Sequence, residues 1–141
     1  MSIARRLLSI GGGQVRPFKF TIQTTSANTQ FELPITAPGG NQPNLTVSWG
    51  DGSSDNTIIS VNSSDRFHTY TSAGTYQIIV GGYCPGFSVG NNPSYKTLYK
   101  SIDDWGLVQL EEVNFYGCIN LTTIPADGSN NAILNDGLNT I

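Results

Sequence analysis

Few residues in this chain could do chemistry, and their spacing limits what they could do. His68 is the single histidine. A general base needs a nucleophile or a polarised partner beside it, and no Gly-x-Ser-x-Gly elbow, phosphate-binding loop or His-Glu-x-x-His accompanies it. Asp51 and Asp55 could offer oxygens to Ca²⁺. They lack the third carboxylate and terminal bidentate Glu of a recognised loop, so Asp51 reads as a turn residue accepting backbone N–H bonds. The dipeptides Asp103-Asp104 and Glu111-Glu112 invite a glycosidase reading. On an extended strand, however, adjacent side chains point to opposite faces and cannot flank one glycosidic bond. Cys84 and Cys118 are far apart and outside any Cys-x-x-Cys spacing, which gives neither a disulfide framework nor a zinc site. A single bridge stays open beside the favoured reading of two reduced, packed thiols. The expectation is a protein that is not an enzyme and carries no cofactor and no metal.

Composition fits that expectation. Hydrophobic residues make up 38% of the 141 residues, enough for one core, while charged residues reach only 12%. Thr, Ser, Asn and 16 Gly take their place, as in short strands joined by tight turns. No apolar stretch approaches the roughly 20 residues of a membrane span, so no membrane partner is expected. Arg5, Arg6, Arg16 and Lys19 stand in a stretch without acids, whereas the remainder sets three cations against all ten acids. Four scattered cations are a weak nucleic-acid footprint, and docking onto an acidic protein surface explains them as well. Leu7-Leu8-Ser9-Ile10 is too short for a signal-peptide core and runs into Gly11-Gly12-Gly13. Residues 1–16 are therefore expected to be a retained basic arm with a glycine hinge.

The elements that would position these side chains are strands. Phe18, Phe20 and Ile22 alternate with Lys19 and Thr21. Phe31, Leu33 and Ile35 repeat the pattern, with Pro34 marking an edge strand. Leu45, Val47 and Trp49 run into Gly50-Asp51-Gly52, a strong hairpin signal. Strands follow around Thr57–Val61, Phe67–Tyr70 and Tyr76–Val80. About six strands this closely spaced suit a sandwich. Residues 84–104 read as an irregular connection, with Phe87 and Val89 in a short strand. From Trp105 the spacing changes to that of a leucine-rich turn: Leu110, Val113, Phe115, Cys118, Leu121, Ile124. One such unit cannot bury its own face, and the pattern resumes at Ile133-Leu134.

Two stretches carry resemblances. Trp49-Gly50-Asp51-Gly52-Ser53, then His68-Thr69-Tyr70, then Gly74-Thr75-Tyr76-Gln77-Ile78-Ile79-Val80 resembles the polycystic-kidney-disease (PKD) domain over roughly residues 17–83. Val47 stands where that family usually has a second aromatic. The resemblance implies an immunoglobulin-like antiparallel β-sandwich. It implies that His68 hydrogen-bonds the Asp51 turn, and that Tyr70 and Tyr76 form a corner with rings inward and hydroxyls tied to backbone. Trp105-Gly106 with Phe115-Tyr116-Gly117-Cys118-Ile119-Asn120-Leu121-Thr122-Thr123-Ile124-Pro125 resembles the opening repeat of BspA-like leucine-rich-repeat surface proteins. The combined layout is similar to phage virion and bacterial surface proteins, and implies display or particle decoration without a reaction.

The expected protein is thus all-β: an arm (1–16), a PKD-like sandwich (17–83), an irregular connection (84–104) and a leucine-rich-repeat-like segment (105–141). Its expected function is structural, in a phage virion as capsid decoration, head fibre or tail-associated component. Arg5, Arg6, Leu7, Leu8 and Arg16 would anchor it to capsid or tail proteins, in many copies. Trp105, Phe115 and Tyr116 would offer an interaction surface, with a host-surface glycan as a further partner. The alternative is a bacterial cell-surface adhesin fragment.

Overall fold

The computed structural model describes residues 16–90 and 93–125. β1 (Phe18–Thr24) fully buries Phe18, Phe20 and Ile22 and leaves Lys19 and Thr21 partly exposed, as its alternation requires. The next apolar run is expected to form one edge strand, but splits into β2 (Thr29–Glu32) and β3 (Ile35–Thr36). Pro34 has no N–H for a ladder. Its carbonyl instead accepts the Ser88 N–H at 2.8 Å, and the chain changes sheet there.

β4 (Asn44–Ser48) and β5 (Asn56–Ile58) form the hairpin announced by Asp51-Gly52, with Leu45 opposite Ile58. Its loop, residues 49–55, is longer than a two-residue turn. Gly50 has φ +83°, and a Cβ there would collide with the Gln77 carbonyl, so the position requires glycine. β6 (Phe67–Tyr70) pairs with β2, and β7 (Gly74–Tyr83) pairs with both β1 and β4.

Residues 84–104 are not the irregular connection expected. They contain β8 (Gly86–Ser88), a 3-10 segment (Pro93–Leu98) and β9 (Tyr99–Asp104), which lies antiparallel to β1. The pairing with β1 shifts register between Lys19 and Phe20 and again between Thr21 and Ile22. Such irregularities break the period of two, so Tyr99 and Ile102, three residues apart, both face the core. β10 (Glu112–Asn114) then runs parallel to β8.

Among the described residues the strands form a five-stranded sheet, β5-β4-β7-β1-β9, a three-stranded sheet, β10-β8-β3, and a pair, β2-β6. All pairings except β10 with β8 are antiparallel. The molecule is all-β. Ring contacts show the smaller sheets lying over one face of the larger. Phe87 of β8 meets Phe18 and Phe20 of β1 at 5.1 and 5.2 Å, and Phe31 of β2 meets Phe20 at 6.3 Å. Among the described residues, the segment after β9 does not bury a separate face. Trp105, Val108, Leu110, Val113, Phe115 and Cys118 belong to the same core as β1, and Phe115 touches Phe87 and Tyr99 at 5.6 and 5.8 Å.

Candidate functional site

The motif residues converge on one corner. Trp49 leaves β4 fully buried, with its Nε1–H donating to Asn56 Oδ1 at 2.8 Å. The His68 ring, on β6, stacks on it at 4.7 Å with only 5° between planes, and the Tyr70 ring meets His68 edge-on at 4.7 Å. Tyr76, on β7, stacks on Tyr70 at 4.3 Å. Each hydroxyl is tied to backbone, Tyr70 donating to the Trp49 carbonyl at 2.7 Å and Tyr76 to that of Ser72 at 2.6 Å. The Gly74 N–H, at the start of β7, donates to Thr24 Oγ1 at 3.1 Å. Gly52 stands inside the turn with φ +84°.

Asp51 links this corner to the turn. Its Oδ2 lies 2.7 Å from His68 Nε2, and its Oδ1 accepts from the Ser53 N–H at 3.1 Å and the Ser53 hydroxyl at 2.5 Å. Burial pushes the Asp51 carboxyl upward, but the bonds from Ser53 and His68 together outweigh it and hold the pKa at about 2. An ionised carboxylate only accepts, so Nε2 carries the proton in this pair. The two side chains are 16% and 19% exposed. Burial, then the nearby Asp51 and Tyr76, raises the Tyr70 hydroxyl far above its usual range. His68 Nε2 orients the turn through Asp51, and the reading of Asp51 as a turn acceptor matches its contacts.

The paired carboxylates diverge. Asp103 accepts from Thr21 and Ser101, both at 2.6 Å, and from Gln77 at 3.0 Å. Burial opposes ionisation there, yet these three bonds and Lys19 leave its pKa below the usual carboxylate value. Asp104 instead accepts from Arg16 and from the Gly106 N–H at 2.9 Å. Glu112 accepts the Thr36 hydroxyl at 2.5 Å. Among the described residues no three His, Cys, Asp or Glu side chains gather to hold a metal. Cys84 and Cys118 are free and buried, and burial lifts their pKa values to about 12 and about 11, so both thiols stay protonated.

Three expectations need correction. Trp105 is 3% exposed and Phe115 fully buried, so neither offers a surface. Trp105 stacks on Phe18 at 6.0 Å, and Phe115 fills the space between Phe87 and Tyr99. Tyr116, at 62%, is exposed, beside Ile119 at 78%. The Lys96 ammonium sits 5.4 Å from the Tyr116 ring centroid. Arg16 belongs to the folded body: its guanidinium pairs with Asp104 at 3.0 Å, and its carbonyl accepts the Leu107 N–H at 2.7 Å. Arg5, Arg6, Leu7 and Leu8 lie outside the described residues.

Sequence reasoning also missed Tyr99. Its side chain is fully buried, and its hydroxyl has no hydrogen-bond partner among the described residues. Burial raises its pKa well above the ordinary tyrosine value. A tyrosine after a Gly/Pro/Asn-rich stretch carries no local signal of such burial. Compared with known proteins, the chain matches no family model, no curated protein and no solved structure.

Proposed function

We propose that this chain is a non-enzymatic structural protein of a phage virion, a capsid-decoration, head-fibre or tail-associated component that displays a rigid β body. In this reading the body is an immunoglobulin-like, PKD-like sandwich followed by a leucine-rich-repeat-like turn. The corner of Trp49, Asp51, His68, Tyr70 and Tyr76 supports the first assignment, and the parallel pairing of β10 with β8 supports the second.

The observation that carries the proposal is the clamp at Arg16. Side chain and carbonyl of this one residue are held by Asp104 and Leu107, so the basic segment preceding it joins the body at a fixed point. An anchor needs such a junction, since a tether that joins a loose end does not orient what it displays. Arg5, Arg6, Leu7 and Leu8 would meet capsid or tail proteins in many copies, and Tyr116 with Ile119 would face outward.

The test compares the full chain with a variant lacking residues 1–13. The full chain is expected to co-sediment with assembled particles, while the truncated chain stays folded and remains in the supernatant. Co-sedimentation of the truncated chain would refute arm anchoring. A full chain found only in the supernatant would refute the virion assignment.

A further inference from the structure

β9 is the last strand of the five-stranded sheet, so its outer backbone groups need cover. Residues 120–125 supply it by running parallel alongside. Asn120 Nδ2 donates to the Thr97 carbonyl at 2.8 Å, and the Thr122 N–H to that of Lys100 at 3.0 Å. The Ile102 N–H donates to the Thr123 carbonyl at 2.9 Å, and Trp105 Nε1–H to the Pro125 carbonyl at 3.0 Å. Ser101 and Thr123 form the one parallel bridge of this stretch. The cover is thin. Asn120, Thr122 and Thr123 are exposed, and only Leu121 and Ile124 reach the core, each incompletely.

We propose that residues 120–125 are a displaceable strap, and that the β9 edge beneath it accepts the same segment of a second copy. One contrast points to this. β1 and β7 are locked by fully buried side chains on a central ladder, whereas among the described residues the strap rests on a few backbone bonds and partly exposed side chains. Segments of that kind open locally at far lower cost than the global fold. An occupant must run parallel to β9, donate to Lys100, accept from Ile102 and place a carbonyl at Trp105. The chain's own strap meets all four conditions, so exchange between copies recreates every contact, the economy that makes strand swapping cheap.

The experiment uses full-length protein. In amide hydrogen exchange, Ile102 is expected to exchange at least about tenfold faster than Ile78 in the sheet centre. Thr122→Pro deletes the N–H bonded to Lys100 and should speed Ile102 by about another tenfold while leaving Ile78 unchanged. Isotope-labelled T122P titrated with unlabelled wild-type chain should then show resonance shifts confined to residues 100–105, with a mixed dimer in light scattering. Equal protection of Ile102 and Ile78 overturns the strap, and absence of shifts or of a mixed dimer overturns the exchange. Should T122P fail to fold, Asn120→Ala carries the same comparison, because among the described residues its exposed side chain contributes the bond to Thr97 alone.

Discussion

The corner around His68 and the flank formed by β9 with residues 105–125 both pack rings into the same core, but they treat their buried hydroxyls differently. At the corner four polar side chains are each tied to a partner: Tyr70 to Trp49, Tyr76 to Ser72, His68 to Asp51, Trp49 to Asn56. At the flank Phe18, Phe87, Tyr99, Trp105 and Phe115 pack on one another beside bonds such as that of Trp105 to Pro125, but the buried Tyr99 hydroxyl has no partner among the described residues. Directional bonds fix the shape of a turn, because an unsatisfied donor or acceptor is costly. Ring packing fixes volume, but it does nothing for a hydroxyl left without a partner, which still carries its desolvation cost. The difference predicts which substitutions each region will resist.

The largest effect tests whether the flank is core at all. Phe115→Ala and, at the corner, Trp49→Ala should each destabilise the protein by about 3–5 kcal/mol, measured by denaturant unfolding. A loss under about 0.5 kcal/mol, the range of surface substitutions, would put Phe115 back on a surface and dissolve the comparison. A sharper contrast comes from removing one hydroxyl on each side. Tyr70→Phe strands the Trp49 carbonyl and should cost about 1–3 kcal/mol. Tyr99→Phe removes a group with no partner and should be neutral or slightly stabilising. Equal costs would mean that the Tyr99 hydroxyl is satisfied after all.

The smallest effect is electrostatic. The Asp51 carboxyl is lower in the fold, at about 2, than its ordinary 3.8. Its contribution is therefore complete above about pH 4 and is lost as pH falls from there towards 2. Solvent screening limits it to the order of 1 kcal/mol. Asp51→Asn should flatten that part of the stability-against-pH curve, read by thermal unfolding across the window, and Asp103→Asn should leave the Asp51 portion in place.

The strands that read clearly from the chain are those that alternate without interruption. Phe18, Phe20 and Ile22, or Ile78 and Val80, declare their face by period alone. The corner was legible because its residues cluster around a short turn motif, Trp49 to Ser53, answered by His68 and Tyr70. β9 was not, because two register shifts against β1 place Tyr99 and Ile102 three apart, a spacing no strand template expects. The parallel partnership of β10 with β8 joins residues far apart in the chain, and such pairing leaves no local mark. Trp105 and Phe115 have apolar spacing that says they need cover but not from where. The structure supplies the cover from Phe18 and Phe87.

The clamp at Arg16 also bears on how the body responds to pulling. The chain passes from Arg16 directly into β1, which is hydrogen-bonded along both sides, to β7 and to β9. Tension applied through the amino-terminal segment therefore loads two antiparallel ladders lengthwise and at once, instead of unzipping one bond at a time. Because β1 lies inside the sheet, between β7 and β9, it cannot be drawn out without shearing both neighbours.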